Sequence, residues 1–322
     1  MTFAGSQGHV ESQLVPEAGF ELDTFAVSGF PRRVGLGLVR ALWQSGRAPF
    51  ACARILGRRR PDVVLGGGGY VAGPMVLAAR LRGIPAALTE ADAHFGLANR
   101  LAAPFARRVF LAYETDGRTG SRYRVVGRPI PVAHLGADRV AARERFGLPQ
   151  DRPVLAVFGG LAGAQALNLF AADAFGTSGP AVLHISGTRD FEAVRPRVSR
   201  PDYVLLASTD HFGGALAASD LAISRAGGTV WELAAAGTPS ILVPYPYATA
   251  DHQTLNARHF ERGGGAIVVD QSELDRVPAL VEELLADPER LARMSDAMRA
   301  LARPDAADVI ADELVALAEA RR

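Results

Sequence analysis

The chain has 322 residues, 48% of them hydrophobic and 21% charged, with 34 Gly and 20 Pro. That length exceeds one ordinary hydrophobic core and predicts two domains, while the apolar content excludes a disordered or collagen-like chain. All 35 basic residues are Arg, offset by 34 acids to a net charge of +1, which gives no overall pull toward nucleic acid. Cys52 is the single cysteine, which excludes a disulfide framework and a cysteine metal cluster; it reads as a small buried apolar residue.

In chain order, short apolar runs alternate with glycine-rich turns and longer stretches rich in Ala and Arg. Strands are predicted at 20–27, 62–65, 85–88, 108–111 and 124–126. A second set falls at 153–158, 181–185, 203–206, 221–224, 240–243 and 266–269. Continuous apolar strands alternating with helices predict parallel sheets covered on both faces. That many strands suits two sheets, with a seam near Gly127-Arg-Pro-Ile-Pro131, where two prolines interrupt regular structure. The expected division is 1–128, 129–303, and a last helix at 304–322 lying across both domains. Three uncharged stretches are each broken by Gly or Pro, so no membrane span and no secretory signal is predicted, and a cytoplasmic protein is expected.

Three glycine turns, 66–69, 159–163 and 225–228, each join a strand to a helix. A helix start carries unpaired N–H groups and partial positive charge, so each can accept a phosphate; a purely structural turn accounts for them equally well. No Lys exists to complete a P-loop, and no G-x-G-x-x-G is followed by a suitably spaced acid. After the third turn, Thr229 can cap a helix. Glu232 can accept from sugar hydroxyls, as the acid of nucleotide-binding folds does from ribose, or serve as a capping-box carboxylate. Asp251-His-Gln253 and Asn256 then supply the neutral donors and acceptors that suit a sugar ring. The segment 31–60 carries eight Arg and no acid among apolar residues. It reads either as a docking face for an anionic membrane or as a solvated helix over a core stripe.

The chain resembles the MurG family of UDP-N-acetylglucosamine transferases. The resemblance rests on Leu14-Val-Pro-Glu-Ala-Gly19, the block from Pro61 to Pro74, Gly83-Ile-Pro85, Gly159-Gly160 with Gly163-Ala164, Ser224-Arg-Ala-Gly227, Glu232, Ala236-Gly237-x-Pro239 and Asp251-His-Gln-x-x-Asn256-Ala257. It implies a GT-B fold, two Rossmann-like doubly wound α/β domains with an active site between them. It implies inverting, metal-independent transfer of N-acetylglucosamine from UDP-N-acetylglucosamine to lipid I, an undecaprenyl-linked acceptor. The enzyme would sit peripherally on the cytoplasmic face of the bacterial membrane, with no cofactor. By position, Gly163 and Ala164 would lie near the diphosphate; Gly227, Gly228 and Thr229 would serve the nucleotide phosphates. Glu232 would hold the ribose, and Gln253 and Asn256 the N-acetylglucosamine. Gly67 and Gly68 would face the acceptor diphosphate, Glu90 and Asp92 would fall near the donor sugar, and Asn99, Thr209 and Arg225 would complete the substrate contacts. Glu90 and His94 would be the candidate general bases.

Several departures from the family stand out. Its opening strand, a glycine loop ending in His, and the first helix have no counterpart ahead of Thr2, and Gly5-Ser-Gln-Gly-His9 is not that loop by spacing. A parallel sheet lacking a central strand predicts poor stability or inactivity for this chain alone. The family's His-Glu-Gln-Asn reads Thr89-Glu-Ala-Asp92, its Gly-Gly-Ser-Gln-Gly reads Gly159-Gly-Leu-Ala-Gly163, and its Asn-Pro-Val-Arg reads Arg128-Pro-Ile-Pro131, where Arg128 would supply the displaced charge. No Asp-x-Asp occurs. Two alternatives stay open: another UDP-sugar transferase of this fold acting on a glycolipid or small aglycone, and a sugar-nucleotide-binding protein without catalysis.

Overall fold

A computed structural model describes residues 1–8, 10–27, 36–160 and 164–321, the side chains of 36–45 excepted. His9, Leu161 and Gly163 therefore lie outside the described residues, as does part of the basic segment 31–60. Two compact units are present: residues 1–126 with 308–322, and residues 127–307.

The first unit contains β1 (Phe3–Ser6), α1 (Glu11–Glu17), β2 (Leu22–Phe25), α2 (Leu36–Arg59), β3 (Val64–Gly66), α3 (Gly69–Leu81), β4 (Ala86–Glu90), α4 (Leu97–Ala102), β5 (Arg108–Leu111) and β6 (Tyr123–Val125). Every pairing is parallel, β1 with β2 and β3-β4-β5-β6 in that order. One apolar cluster unites Phe25, Cys52, Val76, Leu88 and Val109. Burial pushes the Cys52 thiol up to about 12, which leaves it an inert packing group.

The second unit contains α5 (Arg139–Phe146), β7 (Val154–Phe158), α6 (Gln165–Phe175), β8 (Ala181–Ile185), α7 (Phe191–Val194), β9 (Tyr203–Leu206), α8 (Phe212–Ala217), β10 (Leu221–Ser224), α9 (Val230–Ala236), β11 (Ser240–Leu242), α10 (His252–Arg262), β12 (Ala266–Val268), α11 (Val277–Leu285) and α12 (Pro288–Leu301). Its six strands are all parallel in the order β12-β11-β10-β7-β8-β9. Strands β7, β10 and β11 are buried at every residue, which explains their unbroken apolar sequences. The strand order reverses between β7 and β10, where a doubly wound sheet opens a crevice at its carboxyl edge.

Helix α13 (Ala306–Glu319) returns the chain to the first unit. Ile310 joins a cluster with Ala87, Phe110 and Val126, and Glu313 accepts from both Arg108 and Arg124. The Arg108 hydrogen bond, ahead of the two nearby positive charges, holds the Glu313 carboxyl below its ordinary range. Burial is the larger of these two anchors, because the arginines face water and screening weakens them. Ile310→Ala is expected to cost about 2–4 kcal/mol, and Glu313→Ala under about 1 kcal/mol. Urea titration of the two variants checks the ranking.

Candidate functional site

The carboxyl ends of β7, β8, β9 and β10 surround a cavity of about 750 Å³ that lies wholly within the second unit. That size suits a nucleotide-sized ligand. Sequence-predicted residues meet there: Arg128, Thr209, Arg225, Gly227, Gly228, Thr229, Glu232 and Gln253 all line it. They come from four separate stretches of chain, gathered largely because parallel strands end on the same side.

Local packing explains the glycines. A β-carbon at Gly228 would stand 2.4 Å from the Arg128 guanidinium carbon, so the bare backbone is what lets that cation lie against the turn. A β-carbon at Gly159 would meet the Ala164 β-carbon at 2.2 Å, which fixes the tight entry into α6. Ala164 is buried as the residue ahead of α6 and is packed against Gly159 rather than lining the cavity.

Other polar residues hold the walls. Arg225 is buried and donates to the carbonyls of Val243 and Pro244 and to the Gln271 amide oxygen, with its guanidinium over the Tyr245 ring. Desolvation lowers its pKa below the ordinary arginine value, partly countered by Tyr245. Asn256 is buried, and its amide donates to the Ala226 carbonyl, bracing the glycine turn from behind. The Gln253 amide oxygen accepts from the Tyr245 N–H, and the Thr209 hydroxyl oxygen accepts from the His211 N–H.

Sequence reasoning did not single out His134. It donates from Nδ1 to Glu232 Oε1 at 2.5 Å within the cavity lining. Phe158, Phe212 and Thr188 were also missed, although they line the same space. His134 and Glu232 lie 98 positions apart in sequence, so no local pattern links them.

Behind this wall sits a buried network. Asn168 donates from Nδ2 to the Ser186 carbonyl (2.7 Å) and to Asp190 (2.9 Å), so its Oδ1 faces His184 Nε2 at 3.0 Å. His184 must therefore carry its proton on Nε2 and accept on Nδ1 from the Tyr203 hydroxyl. Burial pushes the Tyr203 hydroxyl up, which keeps it a donor, and pushes His184 down to about 3. The network ties α6 to the Ser186–Asp190 loop, whose Gly187 and Thr188 face the cavity.

The remaining candidates lie in the first unit. Glu90 closes its own loop, Oε1 accepting from Ala91 N–H and Oε2 from Gly96 N–H and the Asn99 amide. His94 is half-buried in that loop, as is Asp92. Asn99 is buried, and its Oδ1 has no hydrogen-bond partner among the described residues. Gly68 precedes α3 at φ +89°, and a β-carbon there would stand 3.5 Å from the Asn99 amide nitrogen, so Gly68 adjoins Asn99. An orphan oxygen asks for an O–H or N–H group, not for an anion. Among the described residues no trio of His, Cys, Asp and Glu is grouped to hold a metal.

Residues 2–111 match the glycosyltransferase family 28 N-terminal domain and residues 154–310 the glycosyltransferase family 28 C-terminal domain. The chain belongs to glycosyltransferase family 28. A Salinibacter ruber relative, a UDP-N-acetylglucosamine–N-acetylmuramyl-(pentapeptide) pyrophosphoryl-undecaprenol N-acetylglucosamine transferase, is 39% identical over all of this chain and 90% of its own. A Clavibacter sepedonicus relative of the same description is 42% identical over 96% of this chain and 85% of its own. The crystal structure of Acinetobacter baumannii MurG superposes with a TM-score of 0.76 at 27% identity, covering 97% and 90% of the two chains. The calicheamicin glycosyltransferase CalG4 shares the fold at a TM-score of 0.67 and 18% identity, over 98% and 97% of the chains. The expected GT-B architecture of two Rossmann-like domains is thus observed.

Stability should carry the mark of His184. The unfolded imidazole takes a proton near pH 6.5 and the folded one only near 3. The unfolded state therefore binds the proton first, so stability is full above pH 6.5 and falls as pH drops toward 3, by up to about 1.4 kcal/mol per pH unit. Urea midpoints across this window should slope less in His184→Gln than in the parent, whatever their absolute difference.

Proposed function

We infer that this protein transfers N-acetylglucosamine from UDP-N-acetylglucosamine to an undecaprenyl-diphosphate-linked N-acetylmuramyl-pentapeptide, producing lipid II. The relatives named for this reaction carry the inference, because they match over nearly the whole chain. Fold alone does not select it, since a UDP-N-acetylglucosamine 2-epimerase from Neisseria meningitidis also superposes, with a TM-score of 0.62 at 12% identity.

The cavity of the second unit is read as the donor site. Arg128, set against the Gly228 turn, offers a positive charge to a departing diphosphate. The opening of α6, an 11-residue helix, adds its dipole beside Gly159 and Gly160. Glu232 accepts from ribose hydroxyls, and Gln253 reaches the hexose. Backbone amides and arginine would then stabilise the leaving group, and transfer should survive EDTA.

Acceptor recognition is assigned to the first unit. Gly67 and Gly68 open the 13-residue α3, and Asn99 Oδ1 awaits a donor such as a sugar hydroxyl or acetamido N–H. His94 is the better candidate base, because it makes no hydrogen bond among the described residues while three donors occupy Glu90.

Peripheral membrane contact is also assigned to this unit. Leu97, Leu101 and Phe105 are exposed at four-residue spacing along α4 and the turn after it, with exposed Arg100 beside them. Arg58 and Arg59 are already paired with Asp23 and Glu21, so they are poor anchors for anionic lipid. No helix among the described residues is long and apolar enough to cross a membrane.

Two measurements test these assignments. Titration calorimetry should show UDP binding that weakens about 10–100-fold in Glu232→Ala, the worth of a hydrogen bond to a charged group; no heat with UDP would overturn the donor site. Leu97→Ser with Leu101→Ser should sediment less with vesicles containing anionic lipid while binding UDP normally; undiminished sedimentation would remove α4 from the membrane contact.

A further inference from the structure

Recognition of ribose by one carboxylate is only as selective as that carboxylate is fixed. Glu232 has three rotatable side-chain bonds, and ordering it on binding costs conformational entropy unless the protein has already done so. The single hydrogen bond to its carboxylate among the described residues comes from His134, at Oε1. Oε2 makes none there, and both residues line the cavity.

His134 is itself held from two sides. Its ring meets Phe212 edge-on with centroids 5.5 Å apart, and Phe212 meets Phe158 at 5.1 Å. Its backbone lies so close to Gly213 that a β-carbon there would stand 2.6 Å from His134 Cα. The imidazole is thus seated against the first turn of α8, with Phe158 at the end of β7 backing Phe212. It contributes one N–H and occupies one oxygen. An arginine in its place would fork onto both oxygens and consume the acceptors that a diol needs.

We propose that His134 is a positioning residue for ribose recognition: it clamps one oxygen of Glu232 so that the other is presented to the vicinal hydroxyls of a uridine diphosphate. The proposal rests on the reading of the cavity as the donor site. His134 touches the carboxylate rather than the nucleotide, so its loss should reduce discrimination between sugars more than it reduces binding in general.

The test compares UDP with 2′-deoxy-UDP by calorimetry on the full-length parent, His134→Phe and His134→Asn. Phenylalanine keeps the ring against Phe212 and removes the N–H. Asparagine places an amide N–H near the Nδ1 position. The parent should prefer UDP by about tenfold. The preference should fall below threefold in His134→Phe, through weaker UDP binding with 2′-deoxy-UDP almost unchanged, and should recover in His134→Asn. Glu232→Ala should abolish the preference, and adding His134→Phe to it should change nothing further. A parent that binds UDP with a ribose preference that His134→Phe retains would overturn the clamp and leave the donor site standing. Equal weakening of both nucleotides in His134→Phe would also overturn it, marking His134 as packing alone. A parent that binds no UDP would overturn the donor reading and the clamp together. Should His134→Phe not fold, as read by its thermal melt, His134→Gln carries the same comparison: its longer arm misplaces the N–H, and a retained preference overturns the clamp.

Discussion

Parallel strand pairing is the constraint from which the donor site follows. When all six strands of a sheet run the same way, every carboxyl end falls on one edge, and the connections leaving that edge must turn at once into helices. Residues 158–160, 185–188, 207–210 and 224–228 are such connections, and together they bound the cavity. The reversal between β7 and β10 separates two of these turns and leaves room between them. Glycine is needed where the backbone folds back on itself, as at Gly159 against Ala164, or where a cation must lie on it, as at Gly228 beneath Arg128.

Polar groups in this unit fall into two populations with different work. Arg225, Asn256, Asn168 and His184 are buried and spend their hydrogen bonds on backbone carbonyls or on each other. Their cost of burial is met only by complete pairing, so they fix the walls in one arrangement. Arg128, Glu232, Thr229 and Gln253 face the open space instead and retain capacity for a ligand. Rigidity behind and availability in front are the combination a site needs if it is to bind without reorganising.

In the first unit the same logic gives a different balance. Glu90, an expected chemical group, is absorbed by its own loop, whereas the neighbouring Asn99 keeps an oxygen without a partner among the described residues. Residue type made Glu90 the more conspicuous candidate; hydrogen-bond accounting draws attention to Asn99. The arginines at 58 and 59 lose their apparent freedom likewise, because Asp23 and Glu21 lie across from them.

The amino-acid sequence alone determined the strands, their parallel character and the family. Apolar runs such as 153–158 coincide with strands almost residue for residue, because burial on both faces favours apolar side chains at every position. It also determined which glycine turns to watch and that Glu232 and Gln253 belong with them, since those residues follow one another closely along the chain. Only the tertiary structure decided who faces whom. His134 meets Glu232 across 98 residues, Asn168 meets His184 through a helix–strand contact, and Arg225 turns away into carbonyls that nothing nearby in sequence announces. Periodicity records whether a position is buried; it carries no record of the partner on the other side, because that partner is supplied by packing of distant segments.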